Sequence, residues 1–352
     1  VPLDRVRIGN FRCIEEAELR LGSGFNYIFG PNGAGKTSIL EAIFVLGRGR
    51  SFRTRQGKRL IRHGKEALTV YGEVSVGAGR HRAGVRLGSA GLESQVDGER
   101  GGGVAELART LPTHVIEPNS HELIEGAPSR RRRFLDWGVF HVEPGFLDAW
   151  RRFRRALSQR NAALKSGQDT AAWDQAFIEA GEAVDSARSR YFQTLDGAVV
   201  GIGEALTGRR IALSYRSGWA SGSSLTEALR GSAARDRGIG ATQVGPHRAD
   251  LGISMDDRGV REEASRGQQK LVAAALIIAQ VTVFAQLRGD GGILLVDDPA
   301  AELDLEAFDR LGGVLRTLPA QLVLTGLSMA ALPPTEGAPV FHVERGQVSS
   351  VV

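Results

Sequence analysis

The chain has 352 residues, 42% of them hydrophobic, with 45 basic against 40 acidic side chains and a net charge of +5. That length and composition describe a folded, soluble protein with a large core and room for more than one domain. A single cysteine, Cys13, excludes intramolecular disulfides and a cysteine-based metal site.

In chain order, Val6 to Ile8 and Ala17 to Leu21 predict two short strands around Asn10-Phe-Arg-Cys-Ile14, a hairpin. Next, an apolar run from Tyr27 to Phe29 feeds a glycine-rich turn, and an apolar-periodic segment follows from Thr37 through Ile39, Leu40, Ile43 and Leu46. That order reads strand, loop, helix. Gly30, Gly35, Lys36 and Thr37 fill the fixed positions of G-x-x-x-x-G-K-[ST], the phosphate-binding loop. Glycines let successive backbone N–H groups turn toward phosphate oxygens, and the helix beginning near Gly35 adds the positive end of its dipole. The spacing assigns Gly30, Pro31, Asn32, Gly33, Ala34, Gly35, Lys36, Thr37 and Ser38 to ATP, with Lys36 on the β/γ-phosphates and the Thr37 hydroxyl on Mg²⁺.

After this helix, Gly47-Arg-Gly-Arg-Ser-Phe-Arg-Thr54 is an arginine and glycine loop. Either it is simply solvated, or Arg50 and Arg53 touch a second phosphate or nucleic acid. Leu68 to Val96 alternates β-branched and polar residues between glycines, an antiparallel meander. A short helix at Val104 to Arg109 leads to a strand, His114 to Pro118.

Composition then changes to a helical lobe. Arg130 to Arg133 is a run of four arginines before Phe-Leu-Asp-Trp137, and helical spacing continues through Phe146 to Leu164 and Trp173 to Leu206. Arg151, Arg152, Arg154, Arg155 and Arg160 give this lobe a basic face, read either as a solvated surface or as a DNA contact. Gly167, Gly181 and short helices argue against a long coiled coil. Strands resume at Ile211 to Tyr215 and Leu251 to Met255, with a helix at Leu225 to Arg230 between them.

Ala264-Ser-Arg-Gly-Gln-Gln-Lys270 opens a strongly apolar helix running to about Leu287, whose serine and glycine either offer a phosphate another anion-binding helix end or make Ser265 a mere N-cap. Gly292 to Asp298 is a buried parallel-type strand ending in two acids. Asp297 there is assigned to Mg²⁺, through water, and Asp298 to orienting or deprotonating the attacking water. Glu302-Leu-Asp304 starts a helix, Leu322 to Thr325 forms another strand, and Phe341 to Val348 a closing hairpin.

Phosphate loop, S-x-G-Q signature, strand-Asp-Asp and E-L-D stand in the order of the ABC-type ATPases. Further motifs are N-F-R-C-I-E, G-x-G-R-S-F-R, R-R-x-F-L-D-W at Arg131 to Trp137, Q-R-N-A-A-L at Gln159 to Leu164, and G-P-H-R at Gly245 to Arg248. With these the chain resembles, over essentially its whole length, the RecF family of bacterial recombination-mediator ATPases. The resemblance implies an α/β fold: an ABC-type phosphate-loop ATPase head, with mixed sheet and antiparallel meander, carrying an inserted helical lobe. Its expected divisions are residues 1–120 and 209–352 for the two halves of the head and 121–208 for the lobe.

The resemblance also implies a homodimer that closes on ATP. Lys36, Thr37 and Asp297 would act within one subunit, while Ser265 and Gly267 reach the γ-phosphate of the other; Arg12 is likewise assigned to the nucleotide. Slow ATP hydrolysis, duplex and gapped DNA, the RecO and RecR proteins and the loading of RecA recombinase follow from the same likeness. Several positions depart from the family pattern: Ala249, Ala264, Ala301 and Pro299 replace its usual residues, and no histidine follows Thr325. An ABC transporter subunit or a non-hydrolysing nucleotide-dependent scaffold are the competing readings. No run of about 18 uninterrupted apolar residues occurs, and the first residues lack a secretion signal, so a cytoplasmic chain without a membrane partner is expected.

Overall fold

The computed structural model describes residues 2–77, 79–100, 103–301, 303–333 and 335–351. The chain opens with β1 (Leu3–Phe11), β2 (Ile14–Arg20), β3 (Phe25–Phe29), α1 (Lys36–Arg48), β4 (Leu68–Val76), β5 (Gly79–Gly88), β6 (Gly91–Val96), β7 (Glu99–Arg100), α2 (Gly103–Thr110) and β8 (Thr113–Ile116). It continues through α3 (Glu122–Glu125), α4 (Pro128–Val142), α5 (Phe146–Lys165), α6 (Ala171–Thr207), β9 (Ile211–Arg216), α7 (Leu225–Ile239), β10 (Asp250–Met255), β11 (Arg258–Gly259), α8 (Val260–Glu263) and α9 (Arg266–Arg288). It closes with β12 (Ile293–Val296), α10 (Leu305–Arg316), β13 (Gln321–Gly326), β14 (Val340–Glu344) and β15 (Gln347–Val351). The fold divides these elements into two units, Val1–Ser120 with Ala274–Val352, and His121–Ala273.

In the first unit, β15-β14-β3-β13-β12-β8 form a mixed sheet, parallel except for β15, and β2-β1-β4-β5-β6-β7 form an antiparallel one. Strand β4 shows why the second sheet folds: Leu68, Val70, Gly72 and Val74 are buried, and Thr69, Tyr71 and Glu73 alternate with them on the outer face. The N-terminal hairpin joins this antiparallel sheet. Both sheets contribute to one apolar core with α1, which brings Ile39, Leu40, Ile43 and Leu46 against Val6, Val70 and Val85 on one side and Ile28, Leu295 and Val323 on the other. Two buried amides stitch the layers. Gln321 bonds the backbone of Leu3 and Gly22, and Asn26 that of Gly22, Gly24 and Leu322.

The second unit combines helices with the small sheet β11-β10-β9. α5 and α6 keep to their expected spans within two residues, while α7 runs past the expected Arg230 to Ile239. α6 has 37 residues, about 55 Å at 1.5 Å per residue, and Gly181 lies inside it. A Cβ at Gly181 would stand 2.7 Å from Leu225, so this glycine serves close packing. The second boundary also differs from the expected 208: it falls at 273/274, within α9, and β9, α7 and β10 group with the helices.

The basic face needs correction too. Arg160 is buried on the apolar stripe of α5 with Phe153, Ala156 and Ala163. It donates to Asp174 and Asp236 at 2.8 Å each and to Thr242 at 2.7 Å. The four-arginine run splits likewise: Arg131 is buried against Asp250 at 2.8 Å, Arg132 donates to the Ala249 carbonyl, and Arg130 and Arg133 are exposed. α9 is the one described helix long and apolar enough to cross a membrane, and 72% of its apolar window is buried inside the protein.

Candidate nucleotide site

The phosphate loop joins β3 to α1 around a cleft of about 210 Å³. Cys13, Asn32, Gly33, Ala34, Gly35, Lys36, Thr37, Ser38, Arg53, Asp297 and Asp298 line it. Gly35 caps α1 at φ 117°, a backbone conformation side-chain-bearing residues rarely adopt, and a Cβ there would press on the Cys13 sulfur. Because Lys36 to Ser38 form the first helical turn, their N–H groups have no helical acceptor and face the cleft for a ligand. Gly30 and Pro31 do not line it. Their carbonyls hold the Lys36 ammonium at 2.7 and 3.1 Å, and Lys36 is only 6% exposed.

Opposite Lys36 stand the two acids at the end of β12. Asp297 Oδ1 accepts from Thr37 Oγ1 at 3.0 Å and from Thr325 Oγ1 at 2.8 Å. Burial pushes its carboxyl above the usual range, which the two hydroxyls oppose and the neighbouring Asp298 charge reinforces. The donors suit Mg²⁺, a hard cation taking oxygen ligands. The Thr37 hydroxyl would sit on the ion and Asp297, bonded to it at 3.0 Å, would hold the ion through water. Asp298 is half-buried at φ 47°, and its amide donates to Thr325 Oγ1 at 2.9 Å.

A second buried carboxylate was not anticipated. Glu41, one turn beyond Thr37 on α1, is fully buried and accepts from Arg12 through two bonds and from Ser51. Arg12 is therefore held by Glu41, beside the cleft rather than among its lining residues. Ser51 in turn accepts the amides of Arg53 and Thr54 at 2.9 Å, which fixes the loop after α1 and sets Arg53 at the cleft wall. Arg50, its expected companion, is exposed. Glu41 carried no signal in the sequence beyond being a lone acid in an apolar helix.

The remaining expected residues lie elsewhere. Ser265 and Gly267 belong to the second unit, where Ser265 and Gln268 cap α9 reciprocally: Gln268 N donates to Ser265 Oγ at 3.3 Å, and Ser265 N to Gln268 Oε1 at 3.0 Å. The S-R-G-Q signature thus contains a capping box. Asp304 caps α10 by accepting from Ala307 N, while Glu302 lies outside the described residues. Arg151, Arg152, Arg154 and Arg155 are all exposed on α5, with Arg151 3.7 Å from Asp148 and Arg154 stacked 4.9 Å over Trp150.

A family model described as RecF/RecN/SMC N terminal domain matches residues 2–336. The DNA replication and repair protein RecF of Thioalkalivibrio sulfidiphilus is 41% identical over 352 residues, covering 98% of each chain. That of Chromohalobacter salexigens is 41% identical over 362 residues, covering 99% of each. Among solved structures, a recombination mediator protein RecF with ATP, in the RecFOR pathway, matches with a TM-score of 0.88 at 25% identity, covering 99% of this chain and 97% of the other. An Smc head bound to the C-winged helix domain of ScpA reaches 0.64 at 15% identity, covering 100% and 97%, a likeness of fold.

Proposed function

The chain belongs to the RecF/RecN/SMC family, aligned end to end with RecF members, and from that premise we propose that it is a DNA-binding ATPase that pairs with a second copy on ATP. In this reading it holds duplex or gapped DNA and, with RecO and RecR, promotes RecA loading in gap repair and replication restart. One observation carries the reading. The phosphate loop, Lys36 and the Thr37–Asp297 pair converge on one cleft in a chain that matches ATP-bound RecF over its full length.

The residues divide the chemistry. N–H groups of the loop and first turn of α1 grip the phosphates, and Lys36 exchanges its two carbonyls for phosphate oxygens. Thr37 and Asp297 hold Mg²⁺, which when bound offsets charge on the β- and γ-phosphates. Asp298 orients the water and takes its proton as the new oxygen–phosphorus bond forms and the β,γ-bridging bond breaks. Ser265 and Gly267 of the second copy complete the grip on the γ-phosphate. Hydrolysis removes that grip and so the bias toward the closed pair.

Exposed Arg151, Arg152, Arg154 and Arg155 supply the DNA contact in this reading. The test is binding to a gapped duplex across a salt series, with ATP and with ADP. ATP should tighten binding, and replacing the four arginines by Ala should flatten the salt slope by roughly 0.9 for each phosphate no longer neutralised. Binding indifferent to nucleotide favours the scaffold reading, and an unchanged slope moves the DNA surface off α5.

A further inference from the structure

Strand β13 lies between β3, which leads into the phosphate loop, and β12, which ends in the acids. Parallel register pairs Val296 with Leu324, so the next residues, Asp297 and Thr325, stand side by side. Thr325 is fully buried and its hydroxyl serves both acids: it donates to Asp297 Oδ1 at 2.8 Å and accepts the Asp298 amide at 2.9 Å. A hydroxyl has one proton to give, and here the carboxylate takes it.

Two details raise the stakes of that bond pair. Asp298 sits in the left-handed region at φ 47°, which aspartate adopts more readily than most residues but which local hydrogen bonding helps to hold. Its amide bond to Thr325 is such support. Thr37 donates to the same Oδ1 at 3.0 Å but lines the cleft and would be shared with Mg²⁺, whereas Thr325 is fully buried and not among the cleft's lining residues. No histidine follows Thr325, where Gly326-Leu327-Ser328 stands instead.

We propose that Thr325 is a positioning residue for hydrolysis, tying the metal-holding and water-facing carboxylates into one unit. The proposal rests on the assignment of Asp297 and Asp298 to ATP hydrolysis. It acts on turnover: the hydroxyl keeps Asp298 aimed while the loop grips nucleotide independently.

The test compares Thr325→Val, which removes the hydroxyl at similar shape, with the matched pair Thr325→Ser and Thr325→Ala, which differ only in that hydroxyl. Steady-state ATP turnover, binding of a fluorescent ATP analogue and the melting midpoint are measured on the full chain with Mg²⁺. Val and Ala variants should lose about tenfold or more in kcat with KM for ATP within about twofold, and Ser should recover to within about threefold of the parent. A Val variant turning over like the parent, or a Ser variant falling as far as Ala, overturns the proposal. Should Val fail to fold, the Ser and Ala pair decides alone. Asp298→Asn, run alongside, reports on the underlying assignment: parental turnover there rejects the hydrolytic role of Asp298 itself, whatever Thr325 does.

Discussion

Both units bury charge, and outside the candidate nucleotide cleft both pair it, as Glu41 with Arg12 does in the first. In the second, Arg160 meets Asp174, Asp236 and Thr242, Arg188 meets Asp136 and the Pro246 carbonyl, and Arg131 meets Asp250 with the carbonyls of Ile124 and Gly126. Each guanidinium is answered by a carboxylate and by at least one further oxygen. In the first unit, Lys36 has only two carbonyls and Asp297 only two hydroxyls, and among the described residues neither has an ion-pair partner. Charge that is paired internally holds a fold together. Charge left without a counter-charge awaits one from outside, and a triphosphate with Mg²⁺ brings both signs.

The sharpest way to break this contrast is Asp236→Ala. It takes from Arg160, 2% exposed, the fully buried one of its two carboxylates and from the Gln243 amide its acceptor, so unfolding free energy should fall by about 3 kcal/mol, while ATP affinity of the folded fraction stays put. Denaturant titration and nucleotide binding on the same samples check both halves. Lys36→Met reverses the pattern: ATP affinity should drop by about a hundredfold or more, roughly 2.7 kcal/mol, with the unliganded melting midpoint little changed. A Lys36→Met chain that melts many degrees early would make this lysine structural after all.

Acid offers a smaller effect that touches both units. Burial, with Arg48 nearby, pushes His114 in the first unit down to about 3, and burial also lowers His247 in the second. Both imidazoles stay neutral in the fold and protonate more readily once unfolded. Their contribution is therefore intact above the unfolded value of about 6.5 and drains as pH falls toward the lowered folded values, by up to about 1.4 kcal/mol per pH unit for each. Urea midpoints between pH 7.5 and 5 should decline accordingly, and His247→Gln should lessen the slope. A midpoint that rises on acidification contradicts the assignment.

Much of the nucleotide site was legible because its residues are contiguous. The phosphate loop and the strand ending in Asp297 and Asp298 each carry their chemistry within a few positions, and both form the elements expected of them. Glu41 and Thr325 were silent, since their roles come from partners up to 29 residues away, Arg12 after β1, and 28 away, Asp297 at the end of β12. In the second unit the difficulty was telling buried arginines from exposed ones. Helical period held the answer: Arg131 shares a stripe with Leu135 and Val139, Arg160 with Phe153 and Ala156, and Arg188 with Val184 and Tyr191. Their counter-charges, 52 to 119 residues distant except for Asp174, are beyond any local pattern. Gly181 lies within the helical span expected from Trp173 to Leu206, but its packing on Leu225 has no local signal. The boundary inside α9 leaves no composition change to find.

Whether the open charges of the cleft are completed by a second copy is answered most directly by mixing two variants. Lys36→Met removes the phosphate grip, and Ser265→Arg blocks the tip of α9; each alone should be inactive. Combined, with mixed pairs verified by differential labelling, they should recover part of the ATPase, since one of the two shared sites is then intact. Verified mixed pairs with no recovered turnover would contradict a site built from two chains.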